Sequence, residues 1–246
     1  FSALTPEAIL AVIDQQIASL DQWTDGRIYP LNSYENRVYH VGLEDREPVI
    51  AKFYRPSRWS KAQIEEEHDF IFELVADEQC AVAPVQIQGE SVFTAEIDSE
   101  TFYWALFPRR GGRAPELSDP DCAYRLGMAL SRLHNIGAVK PFAAREVWQP
   151  AARIERARES VLQIVPDYLR HNYSQAVDSL LDVIRGQQSA WENATLLRTH
   201  CDCHAGNILW RDDTAHFVDF DDAANSIAMQ DIWMLLTGER EEQRAT

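Results

Sequence analysis

Glycine is scarce in this chain, at 10 of 246 residues. None falls between Leu31 and Arg37, where a phosphate-covering turn would join the first two strand-like runs. Neither a G-x-G-x-x-G turn nor a Walker motif is present. Basic residues are also few. Lys and Arg number 23 against 39 Asp and Glu, which leaves a formal charge of −16. A field of that sign opposes non-specific binding to nucleic acid or to anionic membranes. No apolar run reaches the ~18–20 residues of a membrane-spanning helix, and the N-terminus carries no signal-peptide pattern. The four cysteines, Cys80, Cys122, Cys201 and Cys203, follow no framework spacing. They are expected as free thiols in a reducing compartment, the cytoplasm. There are no internal repeats and no low-complexity segments.

What is present is ordinary for a globular chain, with 46% hydrophobic and 25% charged residues. The length allows a substantial core. Thr5-Pro6-Glu7 opens a helix, with Thr as cap and Pro at the first position. Strands are expected at 28–31, 37–43, 48–54, 84–87, 91–95 and 102–107, with a helix over 63–76. Pro108-Arg109-Arg110-Gly111-Gly112-Arg113 breaks the pattern as a hinge. Beyond it the periodicity predicts helices over 119–136, 151–165, 174–192 and from 229 to 236. The expected class is α+β and bilobal, in the manner of protein kinases. A mainly β lobe with a helix pair spans 1–107, the hinge 108–113, and a mainly helical lobe 114–246. The chain starts at Phe1 without Met and stops just after a helix-like segment, at Glu241 to Thr246. A trimmed chain is the expectation.

The most informative stretch is His200-Cys201-Asp202-Cys203-His204-Ala205-Gly206-Asn207-Ile208-Leu209-Trp210, followed by Phe217-Val218-Asp219-Phe220-Asp221-Asp222. It reads as loop, strand, turn and returning strand, with Arg211-Asp212-Asp213 as the turn. Phosphoryl transfer needs a placed hydroxyl, Mg2+ on the phosphates and neutralised charge. Asp202 fits as the acceptor of the hydroxyl proton. The amide oxygen of Asn207 and the carboxylate of Asp219 are the hard oxygen ligands that Mg2+ prefers. An unpaired carboxylate within the hydrophobic run around Asp219 would be costly. His200 reads as a prop for the loop. Asp231, at the start of the last helix, is placed to brace the same loop. A zinc knot of His200, Cys201, Cys203 and His204 is the competing reading, but structural zinc sites draw ligand pairs from two segments and the second is missing.

Lys52 sits in the apolar run Val49-Ile50-Ala51-Lys52-Phe53-Tyr54. Kinases aim such an ammonium at the ATP phosphates and bridge it to a helix Glu. Glu67 is the expected partner and Glu66 the next choice, because Phe70, Ile71 and Leu74 turn that face to the core. The glycine-free turn Asn32-Ser33-Tyr34-Glu35-Asn36-Arg37 offers Ser33 and Asn36 to phosphate oxygens. Arg109, Arg110 and Arg113 form a basic cluster for substrate, phosphate or solvent.

Leu31-Asn32-Ser33-Tyr34-Glu35-Asn36-Arg37-Val38-Tyr39, Lys52-Phe53-Tyr54-Arg55-Pro56, Gly111-Gly112-Arg113, Cys203 to Asp212, Val218-Asp219 and Gln230 to Leu236 carry a family resemblance. Over nearly the whole chain they resemble the bacterial stress-response kinases of the aminoglycoside phosphotransferase-like branch. The resemblance implies an ATP- and Mg2+-dependent Ser/Thr protein kinase, cytoplasmic and acting in stress protection. It implies Asp202 as proton acceptor, Asn207 and Asp219 as Mg2+ ligands, Asp219 also as an active-site residue, and Ser33 in the ATP site. Two departures stand out: Cys201 replaces a Gly between the loop His and Asp, and the family continues through further C-terminal helices. Expected partners are ATP and protein Ser/Thr hydroxyls, with no nucleic acid or membrane, for a monomer. A small-molecule alcohol kinase and a nucleotide-binding pseudokinase are the alternatives.

Overall fold

The computed structural model describes residues 1–77 and 80–236. The first helix, α1 (Pro6–Ile17), starts as its sequence dictates: Thr5 Oγ1 accepts the amide of Ala8 at 3.3 Å. Five antiparallel strands follow: β1 (Thr24–Leu31), β2 (Arg37–Leu43), β3 (Arg46–Phe53), β4 (Phe93–Ile97) and β5 (Glu100–Pro108). Their spatial order is β1-β2-β3-β5-β4. Gly26, at φ +83, accompanies the irregular register between Thr24 and Ile28 on β1, a conformation that costs glycine little. Ile9, Ile13 and Ile17 of α1 pack on Val41, Phe53, Phe102 and Trp104 of the sheet. Each such side chain stabilises the fold by about 1.5–3 kcal/mol when fully buried.

Between β3 and β4 the chain forms α2 (Lys61–Asp77), which belongs to two cores. Ile64 packs with Tyr54, Val92 and Ala105 beside the sheet. Phe70, Ile71 and Leu74 pack instead with Leu126, Leu130, Leu133, Phe217 and Phe220 of the second half. The helix is thereby clamped between the two parts of the molecule, with Glu67 between its two apolar groups.

The second half is mainly helical: α3 (Pro120–Gly137), α4 (Pro150–Leu162), α5 (Asp167–Gly186) and α6 (Gln188–Glu192). Short strands β6 (Leu197–Thr199) and β9 (Ala224–Ser226) pair, and β7 (Ile208–Arg211) pairs with β8 (Thr214–Phe217). A last short helix is α7 (Met229–Ile232), continued by a 3-10 turn to Leu235. The β7–β8 turn places Asp212 and Asp213 at φ 51 and 56, the left-handed pair that a two-residue hairpin requires. Segments from earlier in the chain flank this hairpin. Phe217 donates to the Cys80 carbonyl at 2.8 Å, and Arg113 and Trp210 exchange two backbone hydrogen bonds of 3.1 and 2.7 Å.

The α+β, kinase-like class expected from sequence is the class observed. Several element boundaries differ: β1 begins earlier than expected, β4 is shifted to Phe93–Ile97, and α4 ends earlier, at Leu162. Residues 84–87 form no strand: Pro84 has no N–H, and Val85 reaches β5 through one bond to the Leu106 carbonyl at 2.7 Å. The helix expected over 174–192 begins earlier, after Pro166, and is interrupted at Gln187 (φ −103, ψ 8), next to Gly186. The last helix is shorter than expected, and Glu241 to Thr246 lie outside the described residues. Among the described residues no helix is long and apolar enough to cross a membrane.

A buried relay ties α2 to the sheet. The Tyr54 hydroxyl lies 2.9 Å from His68 Nε2, and His68 Nδ1 lies 2.8 Å from Ser91 Oγ. Burial lowers the His68 pKa from 6.5 to about 3, helped by Lys52 and Arg145. Below pH 6.5 the unfolded chain binds a proton here that the folded one refuses, so stability falls as pH drops from 6.5 towards 3. That linkage is on the order of 3–5 kcal/mol across the window. A His68→Gln chain keeps hydrogen-bonding capacity without titrating, so its melting temperature should fall less between pH 7 and 4. Parallel curves for the two chains would contradict this account.

Candidate active site

A cleft of about 320 Å³ opens between the sheet and the β7–β8 hairpin. Ser33, Lys52 and Glu67 line it from the N-terminal side, and Asn207 and Asp219 from the other. Val38, Ile50, Phe107 and Leu209 are among its apolar walls. Gly112 passes close to this wall: a Cβ there would lie 2.8 Å from Leu209 Cβ. Arg110 reaches the lining, and the Arg113 backbone exchanges hydrogen bonds with Trp210.

Asp202 lies just outside that lining and is joined to it through Asn207. The Asn207 Nδ2 donates to the Asp202 carbonyl at 2.9 Å and to its Oδ2 at 3.0 Å. Both amide donors of Asn207 are thus spent on Asp202. The Asn207 Oδ1 has no donor among the described residues and is available to a hard cation. Val218 N donates to the Asn207 carbonyl at 3.0 Å, which sets Asp219 beside Asn207. Asp219 itself is at φ 62, a left-handed position.

The loop around Asp202 is fixed from behind. Asp231 is fully buried and accepts the amides of His200 at 3.1 Å and Cys201 at 2.7 Å, and the His134 ring at 2.8 Å. His200 donates from Nε2 to the Val218 carbonyl at 2.9 Å and accepts the Asp202 amide on Nδ1 at 3.3 Å. Its ring packs tilted against Phe220, with centroids 4.4 Å apart. Cys201, at φ 64, occupies the left-handed conformation that a glycine would take without strain. Its buried sulfur lies 3.0 Å from Thr199 Oγ1, and burial pushes the thiol up to about 12. Burial raises the Cys203 thiol as well, inside the core. The His204 ring accepts the Gly206 amide at 3.0 Å. These four side chains point to separate partners, and among the described residues no three His, Cys, Asp or Glu converge on a metal position. The zinc-knot reading is not what this loop builds.

Lys52 lies among three carboxylates. Its Nζ lies 2.8 Å from Asp219 Oδ1, 2.5 Å from Asp221 Oδ1 and 4.0 Å from Glu67 Oε1. Burial disfavours the ammonium, but Asp219, Asp221 and Glu67 outweigh it and hold its pKa well above the usual value. Lys52 in turn holds Asp219 below the usual carboxylate range. Glu67, the expected partner, makes its closer contact with Arg145 at 2.7 Å. Burial raises Glu67 to about 7 against the pull of Lys52 and Arg145. Glu66, the second choice, points elsewhere and accepts the amides of Ala143, Ala144 and Arg145 at 2.6–2.9 Å.

The glycine-free turn is held by side chains. Asn36 is buried, donates to Asp221 Oδ2 and accepts the Arg55 amide at 3.1 Å. Its side chain braces the turn and is absent from the cleft lining, unlike Ser33. Glu35 is paired with Arg55 at 3.1 Å and Arg58 at 2.8 Å, and Arg58 reaches Asp222 at 2.9 Å. Asp221 and Arg145 were not singled out by sequence reasoning. Asp221 stood in the Asp219-Phe220-Asp221 run as a signal; for Arg145, in an unpatterned loop, there was none.

A sheet stacked on a helical part across such a cleft is the architecture of kinases, and comparison with known proteins gives the same class, an enzyme that transfers phosphate. The chain belongs to the phosphotransferase enzyme family, whose model matches residues 27–246. It is 40% identical over 253 residues to stress response kinase A of Salmonella choleraesuis, covering 99% of this chain and 72% of that protein. The serine/threonine protein kinase RdoA of Salmonella typhimurium matches with the same identity and coverage. Among solved structures, amicoumacin kinase hAmiN in complex with AMP-PNP, Ca2+ and Ami superposes with a TM-score of 0.71 at 18% identity, covering 90% of this chain and 70% of that one.

Proposed function

We propose that this chain transfers the γ-phosphate of ATP to Ser or Thr hydroxyls of proteins, with Mg2+, in a cytoplasmic stress response. The observation that supports phosphate transfer most directly is the junction of Asp202, Asn207, Asp219 and Lys52 at one cleft. The choice of a protein acceptor rests on the 40% identity to relatives named as Ser/Thr and stress response kinases.

In this reading ATP lies between a lobe of residues 1–107 and one of 114–246, hinged at 108–113. Ser33 and Lys52 meet its phosphates, and Glu67 and Asn36 keep Lys52 and the covering turn in place. Asn207 Oδ1 and the charged carboxylate of Asp219 fit a hard cation as oxygen donors. When bound there, Mg2+ would neutralise charge on the transferring phosphate. Asp202, about a third exposed, accepts the proton of the attacking hydroxyl. Its carboxylate is oriented by Asn207, and its backbone by His200.

The fold likeness to amicoumacin kinase carries the architecture alone, so acceptor class has to be measured. Transfer from labelled ATP with Mg2+ to generic Ser/Thr protein substrates, run beside a panel of amino alcohols, decides it. Label on protein hydroxyls is the expected result. Label only on the small alcohols would replace the protein-kinase reading by the small-molecule one. ATP bound with no transfer to either would leave a pseudokinase.

A further inference from the structure

Arg145 lies in the stretch between α3 and α4, outside the cleft lining, and its side chain is fully buried. A guanidinium is placed there at a large desolvation cost unless every donor is used. Here each of its three nitrogens donates. Nε donates to the Gln63 carbonyl at 2.8 Å, and one terminal nitrogen to Glu67 Oε2 at 2.7 Å. The other donates to the carbonyls of Asp221 at 2.8 Å and Ala223 at 2.9 Å, with Phe220 at 3.4 Å. The guanidinium also lies over the Trp59 ring, 4.8 Å from its centroid. One side chain thus joins α2 to the backbone just after Asp219.

The strand of chain bearing Arg145 is itself sewn in on both sides. Glu66 takes three consecutive amides, of Ala143, Ala144 and Arg145. Asn225 both accepts from and donates to Phe142, at 2.8 and 3.0 Å. Glu67 is oriented by Arg145 at 2.7 Å, while Lys52 stands off at 4.0 Å and turns to Asp219 and Asp221.

We propose that Arg145 is a positioning residue for phosphate transfer: a latch that fixes Glu67 and the Asp219 segment relative to each other, so that Lys52 and Asp219 meet in one geometry. The inference rests on the phosphate-transfer reading of the cleft. Lysine at 145 keeps the charge but offers three donors from one point, and cannot span Gln63, Glu67 and the 220–223 carbonyls together.

The test compares the parent chain with Arg145→Lys, Glu67→Gln and the double variant, with Arg145→Met as a further member if it folds. Calorimetric titration with ATP and Mg2+ counts the folded, binding-competent fraction in each. Per competent molecule, Arg145→Lys should lose at least tenfold in kcat/KM for ATP, and the double variant should be no worse than the poorer single one, because both break one unit. The pH profile separates positioning from mere stability. Glu67 faces Lys52 from β3, Tyr54 beyond it, Arg145, Asp219 and Asp221. A lysine that cannot hold the 2.7 Å contact supports the charged form of Glu67 less, so the acid limb of kcat/KM should move to higher pH. Unchanged kcat/KM per competent molecule, or an unmoved acid limb with fully additive losses, would overturn the latch. A parent chain inactive on every acceptor would instead sink the transfer reading. The latch is then read from ATP affinity alone: a tenfold weakening in Arg145→Lys supports it, and equal affinity ends it.

Discussion

An Asp202→Asn chain should bind ATP with Mg2+ as its parent does and transfer phosphate ~10²–10⁴-fold more slowly. The substitution keeps the size and most of the contacts of the side chain, including an oxygen for the Asn207 amide 3.0 Å away. What it removes is the ability to take a proton from the acceptor hydroxyl. Asp202 is also not part of the cleft lining, so nucleotide contacts are spared. Isothermal titration with a non-hydrolysable ATP analogue and single-turnover transfer measure the two quantities separately. Loss of affinity in step with rate would recast Asp202 as a ligand-binding residue, and transfer at the parental rate would remove it from the mechanism.

Lys52→Met should destabilise the fold at neutral pH by about 3–5 kcal/mol. The methionine fills much of the same space, so the penalty is electrostatic. Asp219, Asp221 and Glu67 are left facing one another without the ammonium that now lies 2.5–4.0 Å from them. The pH dependence has a definite sign. Glu67 is raised to about 7 even in the parent, chiefly by burial, so its charged form costs stability as pH rises through that value. Asp219 works the other way in the parent: Lys52 depresses its pKa, and the resulting stability is present above 3.8 and lost as pH falls through the lower folded value. Without Lys52 that contribution disappears and Glu67 rises further. The melting-temperature deficit of Lys52→Met should therefore be largest near pH 8 and shrink towards pH 5. Equal deficits at both values would show that lost packing, and not repulsion, is responsible.

The sequence carried the local part of this architecture clearly. A Thr-Pro-Glu start and an Asp-Asp turn are decisions made within a few residues, and each appears where it was read. Asp202, Asn207 and Asp219 were legible because a hairpin of short span brings them together. Lys52 was legible because a lysine in an apolar strand demands a counterion. The partners that answer the demand were harder. Asp221 meets Asn36 across 185 positions, and Arg145 meets Glu67 across 78. No local periodicity encodes a pairing over such separations, so Glu67 was assigned to Lys52 when its nearer contact is Arg145. Asn36 was read as a phosphate contact, because a turn residue gives no hint that its amide will be buried. At Gly186 the helical pattern continued through a residue that favours interruption, and only tertiary packing decides whether it stops.

The β7–β8 hairpin has one more consequence, for the order of events during synthesis. Its two strands are flanked on one edge by Cys80 to Val82 and on the other by Arg113, through single bridges to each. Both outer stretches leave the ribosome about a hundred residues before the inner ones. Their backbone groups stay hydrogen-bonded to water until the hairpin is inserted between them. Closure of long loops of this kind is slow relative to local structure, so the N-terminal sheet completes first and the catalytic hairpin is among the last pieces to lock. A nascent chain is therefore unable to assemble this site until it has been made through Phe217.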